Sequence, residues 1–218
     1  MIDFIKDPNS WLSIITAIVA IMALIISIWQ MNLSNRHQLF DRRVDKYILI
    51  KELLSLYSRN RMALIGYNDS LFVVDLLFNW LVNCSTLESM APVMSDPLDT
   101  EKKKVFLTKC EMLEHAAVEI KLIWTNKEAE LFSEFVNQYV KLLKSLHMQQ
   151  IYLNDLQTEN ELKISNNQGA MDGEVAEKRI REFAEKVGIY STISALEKTY
   201  NMIIETNAES RLVKSIKL

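Results

Sequence analysis

Glycine and proline are scarce, at four and three in 218 residues. Sandwiches, barrels and doubly wound α/β folds need both at their many tight turns, so this scarcity excludes them and leaves an all-α chain. Cysteine is scarcer still. Cys84 and Cys110 form no CxxC or Cys/His pattern, which excludes a disulfide framework or a zinc module and leaves two small hydrophobes in a reducing compartment. Nor is there an excess of cations: 25 Lys and Arg face 28 Asp and Glu, for a net charge of -3. Binding to duplex nucleic acid needs a local surplus of Lys and Arg, so no nucleic-acid partner is expected.

Signatures of catalysis are missing too. The chain holds no Walker loop, GxGxxG, GxSxG or HExxH, and only three histidines, so neither a catalytic residue nor a cofactor is expected and the chain does not read as an enzyme. His37 lies beside the apolar amino-terminal run and His147 near a helix end. Glu111, His115 and Glu119 are four apart and share one helix face, a spacing that suits metal ligands. A di-metal bundle needs paired Glu-x-x-His motifs on facing helices, and none occurs, so the set reads as a solvated charged face and no metal is expected.

What is present is one long apolar run. From Trp11 to Trp29 the sequence WLSIITAIVAIMALIISIW has no ionisable side chain; at 1.5 Å per residue it spans about 28 Å, close to the hydrocarbon thickness of a bilayer. Tryptophan at both ends matches the headgroup preference of an indole. The preceding residues are not basic and no small-x-small cleavage site follows, which argues against a cleaved signal peptide and for a retained transmembrane helix. Asn9 or Ser10 is its expected N-cap. Only Lys6 flanks it on the amino side, against Arg36, Arg42, Arg43, Lys46 and Lys51 on the other, so the carboxyl-terminal part is expected in the cytoplasm and the amino terminus outside.

Within the run, Ser13, Thr16, Ala17, Ala20, Ala23 and Ser27 are small or hydroxylated. Helices in lipid associate by close packing, so these residues are the expected self-association face and the chain an expected homo-oligomer. The alternative is that Thr16, Ala20, Ala23 and Ser27 line a lumen. Arg36, Arg42, Arg43 and Lys46 are the expected contacts to anionic lipid.

Beyond the run the chain reads as helices. Phe40, Val44, Tyr47, Ile48, Leu54 and Tyr57 form a helical-period stripe, and Gly66, Asn68 and Asp69 mark a turn. A helix over 70–90 is apolar except for Asp75, Asn79 and Asn83, a polar stripe expected to specify a helix contact. Pro92 and Pro97 break the chain. Phe106, Cys110, Leu113, Ala117, Ile120 and Trp124, then Phe132, Val136, Tyr139, Leu143 and Leu146, give the seams of two antiparallel helices, with Thr125 and Glu128 as a capping box between them. Residues 157–173 read as a loop. Ile180, Phe183 and Val187 are out of phase with Ile193, Leu196, Tyr200 and Ile203, which predicts a break at Gly188 and a new cap at Ser191 or Thr192.

The expected organisation is an external stub (1–10), a transmembrane helix (11–30), a juxtamembrane helix (31–66), a cytoplasmic bundle (67–210) and a basic tail (211–218). The bundle is antiparallel, with about five to six helices. Phe40, Asp41, Arg42, Arg43 and Tyr47, following the apolar run, resemble a loose group of uncharacterised bacterial single-pass membrane proteins with a juxtamembrane Phe-Asp-Arg-Arg sequence. The resemblance covers the apolar run and the stretch to Tyr47. It implies a bacterial inner-membrane protein with a helical cytoplasmic domain, of a kind often found beside mobile elements or phage-defence genes. Two roles are expected from the whole reading: a membrane-anchored interaction protein that binds a protein partner, or an oligomeric pore-forming effector.

Overall fold

A computed structural model describes residues 8–66, 73–124 and 126–216. Among the described residues the chain is helical throughout, with no strand. Its elements are α1 (Pro8–Ile65), α2 (Val74–Val82), a 3-10 helix (Glu88–Met94), α3 (Thr100–Ile123), α4 (Lys127–Ser165), α5 (Gly173–Lys186), α6 (Ile189–Glu205) and α7 (Ala208–Lys214). The chain divides into two compact units, one formed by the described residues up to Val44 with Ile216, the other running from Asp45 to Ser215. The division falls inside the segment 31–66 that the sequence treats as one.

In the first unit α1 begins at Pro8. Proline at the first helical position loses no hydrogen bond, because its missing N–H has no partner there in any case. Asn9 and Ser10, the expected caps, therefore fall within the helix. From Trp11 to Leu39 every residue is exposed.

The second unit packs around α4, which meets α2, α3, α5, α6 and α7. The seam residues expected on α3 and α4 are all buried, Phe106 to Trp124 and Phe132 to Leu146 alike. Ile50, Leu53, Leu54, Tyr57 and Leu64 form the buried stripe of the last part of α1, whereas Ile48 is exposed. Tyr57 stands edge-on to Phe135, with centroids 5.9 Å apart, and leans on Tyr200 at 5.1 Å. The phenol of Tyr139, fully buried, donates to Leu81 O at 2.7 Å.

Several boundaries differ from expectation. The helix placed at 70–90 is only α2, closed by a turn at Cys84–Leu87 and followed by the 3-10 helix, which has Pro92 inside it. Asn68 and Asp69 lie outside the described residues, as does Thr125. The cap of α4 is Asn126, whose side chain accepts from Ala129 N at 3.1 Å. Asp99 caps α3 by accepting from Lys102 N at 2.8 Å. Helix α4 runs on to Ser165, through half of the expected loop, where Gln157 bonds to Glu161 at 3.0 Å and Thr158 to Asn154 O at 2.9 Å, each within the same helix.

Gly188 separates α5 and α6 at φ 74°, the left-handed conformation that closes a helix and lets the apolar face change phase. It is itself the residue before α6, so Ser191 and Thr192 fall within the helix; Ser191 Oγ bonds back to Gly188 O at 3.0 Å. Arg211 to Lys214, expected in a loose tail, belong to α7, where Leu212 is buried.

Candidate functional site

Among the described residues one helix is long and apolar enough to cross a membrane, with a mean hydropathy of 2.6 over its most apolar stretch, none of which is buried. A helix that apolar in the core of a soluble protein would be mostly covered. Trp11 and Trp29 stand 53% and 66% exposed at the two ends of the run. Ser13, Thr16, Ala17, Ala20, Ala23 and Ser27 are all exposed. The Thr16 hydroxyl donates to Leu12 O at 2.8 Å, which satisfies it inside its own helix, as a hydroxyl in an apolar medium requires.

The juxtamembrane cations do not form a uniform set. Arg36 and Arg42 are exposed and Arg43 is half-buried. Lys46 is taken up by the bundle, its ammonium 2.6 Å from Glu119 Oε2 on α3. The next residue, Tyr47, donates to Glu209 at 2.8 Å, and Lys51, one turn beyond it, stands 3.3 Å from the same carboxylate. Glu209 on α7 thereby fastens the start of the second unit's share of α1.

Asp75, Asn79 and Asn83 are exposed. Within this chain α2 buries another face, Val74, Leu77, Phe78, Leu81 and Val82, and the polar stripe lies outside that packing. Glu111 and His115 lie 3.6 Å apart on an exposed face of α3, and Glu119 is committed to Lys46. Among the described residues no group of three or more His, Cys, Asp or Glu gathers as a metal set. His147 is buried, within 3.2 Å of Pro97 O and 4.6 Å from the Phe106 ring centroid. Burial holds its pKa below the ordinary histidine value, and Lys103 acts in the same direction against the opposing bond to Pro97. Burial likewise pushes the Cys110 thiol up to about 12, so it is an unreactive core group.

Two polar clusters of the bundle escape a reading of local spacing. In the first, Glu197 on α6 accepts from Tyr57 at 2.8 Å, from Asn201 at 3.0 Å and from the guanidinium of Arg61 through two nitrogens. Burial opposes ionisation of Glu197, but these bonds outweigh it and hold the carboxyl below its usual range. Arg61 also covers the Tyr200 ring at 5.4 Å. Its partners lie 136 and 140 residues away in sequence, so no local pattern announces them.

The second cluster is a row of carboxamides on α4, namely Gln149, Gln150, Asn154, Gln157 and Asn160. A signal for it is present in the sequence, since a solvated helix face normally carries Glu and Lys at such positions. Gln149 is fully buried; its Nε2 donates to Ile180 O at 3.3 Å and its Oε1 has no partner. The next four border a cavity against α5.

The described structure thus defines a helical protein with one helix of membrane-spanning length. Comparison with protein-family models, curated proteins and solved structures finds no match.

Proposed function

We propose that the chain is a membrane-anchored helical interaction protein of the bacterial cell membrane, serving as a sensor, scaffold or partner-binding subunit. The observation that carries this reading is the uncovered run Trp11–Trp29, which is apolar on all sides and has no protein surface to bury it. In water such a surface is unfavourable at about 25 cal/mol per Å², whereas lipid accepts it. The excess of cations that follows it supports a cytoplasmic bundle and an amino terminus outside. Arg36 and Arg42 face the anionic leaflet, each worth about 1 kcal/mol there.

Self-association rests on the stripe of Ser13, Thr16, Ala17, Ala20, Ala23 and Ser27. The hydroxyl of Thr16 is satisfied by Leu12 O, which suits a dry helix contact better than a wet lumen, so the packing role ranks above the pore-forming one.

The test is fractionation with alkaline carbonate, followed by thiol labelling of an Asn207→Cys variant from each side of the membrane. The chain is expected to stay in the pellet, with residue 207 labelled only from the cytoplasmic side. Release into the supernatant overturns the anchor, and labelling of residue 207 from outside overturns the orientation. Cross-linking in membranes checks the oligomer: an Ala20→Leu/Ala23→Leu variant is expected to lose the cross-linked species. Potassium leakage that this pair abolishes would favour the pore.

A further inference from the structure

Between Trp29 and the start of the second unit at Asp45, α1 continues through residues 30–44. Residues 30–39 and Asp41 are exposed, and Phe40 is half-buried. Two lines of side chains run along this stretch at intervals of seven. Gln30 and His37 continue the line of Thr16 and Ala23 in the apolar run, and Leu33 and Phe40 continue that of Val19 and Ile26. The two lines alternate in steps of three and four, the spacing of the a and d positions of a coiled-coil seam, with a large apolar residue at every d. Of the other apolar residues over 30–41, Met31 lies two residues from Trp29 and Leu39 falls outside the seam.

The charges beside the seam fit a second copy. With Gln30 and His37 at a, Arg36 takes a g position and Asp41 the e position five residues on. Two parallel helices in register bring g of one beside that e of the other, so two copies form the Arg36 to Asp41 pair twice. Opposite charges at e and g set partner and orientation. Among the described residues neither Arg36 nor Asp41 enters an ion pair. An antiparallel arrangement sets g against g and e against e, like charge on like. Gln30 and His37 each face their own counterpart across a parallel seam, and a polar side chain at a fixes register. Arg42 falls on the opposite side of the helix, toward the leaflet, and Arg36 on the flank stays within reach of it.

We propose that residues 30–41 of α1 pair in parallel and in register with the same stretch of a second copy, as a two-stranded coiled coil flanked by two Arg36–Asp41 ion pairs. The inference rests on the self-association reading and adds to it a contact outside the bilayer, with its orientation and register.

Oxidative cross-linking of the full chain in membranes tests it, with the unsubstituted chain, which holds Cys84 and Cys110, as the blank. Leu33→Cys and His37→Cys are expected to give disulfide-linked dimers, and Gln38→Cys and Arg42→Cys only the background of the blank. Arg36→Asp and Asp41→Arg, each placed in the Leu33→Cys chain, are expected to lower its dimer about five-fold, because two surface attractions become two repulsions. Co-expressed, these two charge variants regain both attractions in the mixed pair, so mixed dimers are expected to exceed the share that random pairing gives. Equal cross-linking all round the helix overturns the inference, as does random pairing of the charge variants. So does a stronger dimer with Asp41→Arg, which contact of the added cation with lipid alone produces. A dimer through Ala23→Cys with none at residues 33 and 37 overturns this inference and leaves self-association standing; no dimer at any of the three overturns both.

Discussion

Residues 11–29 and residues 50–64 belong to one helix, α1, yet they solve opposite problems. In the first stretch Ile18 is 52% and Leu24 61% exposed; in the second Ile50, Leu53 and Tyr57 are completely covered. The difference is one of pattern. Apolar side chains placed all round a helix leave no polar face for water, whereas an apolar stripe with charges opposite it asks for a neighbouring helix. The polar residues differ in the same way. Thr16 is satisfied by its own backbone, but Tyr57 and Arg61 reach across the bundle to Glu197. One part of the helix is suited to lipid and the other to protein.

The comparison is broken most severely from the bundle side. Phe135, fully buried between Tyr57, Tyr139 and Tyr200, is expected to cost about 3–5 kcal/mol when changed to Ala. Thermal unfolding should show this as a lower bundle midpoint, while retention in the membrane pellet is unchanged; loss of both together would show that the two stretches are not independent.

From the lipid side, Leu24→Arg is expected to cost about 2.5–3.5 kcal/mol of insertion, read as chain lost from the pellet with no change in the bundle midpoint. Tyr57→Phe removes one of several bonds to Glu197 and is expected to cost about 1 kcal/mol, measured by chemical denaturation.

The next effect depends on pH. His147 is held neutral by burial, so its folded pKa lies below the unfolded one. As pH falls through the unfolded value near 6.5, the unfolded chain takes up a proton that the fold refuses. The associated stability is therefore full above that pH and declines below it, down to the folded pKa. His147→Gln is expected to flatten the midpoint between pH 7 and 5. Smallest of all is Lys46→Ala, which removes a partly exposed ion pair with Glu119 and is expected to cost about 0.5 kcal/mol.

Much of the helical layout is legible along the chain. The seams Phe106 to Trp124 and Phe132 to Leu146 can be read because a helix returns the same face every three or four residues, and the break at Gly188 because a change of phase cannot be carried by one straight helix. The extent of α2 is not legible, since Leu76 to Leu87 is uncharged and rich in apolar residues whether or not it is helical. Nor is the true length of α4, where Gln157 and Thr158, in a stretch that resembles a loop, are held within helix turns. Ile48 looked buried by spacing and is exposed, because which edge of a broad apolar stripe is covered depends on the neighbour.

Sequence by itself determined the all-helical class and the single apolar run, since both follow from local composition and from periodicity within one helix. Tertiary structure alone decided that Glu197 meets Tyr57 and Arg61, that Glu119 takes Lys46, and that Asn160 and Met171 close one side of a cavity. Glu197 lies 140 and 136 residues from Tyr57 and Arg61, and even Asn160 and Met171, 11 apart, meet only where the chain turns back on α4, so packing and not local pattern brings these groups within a hydrogen bond's reach.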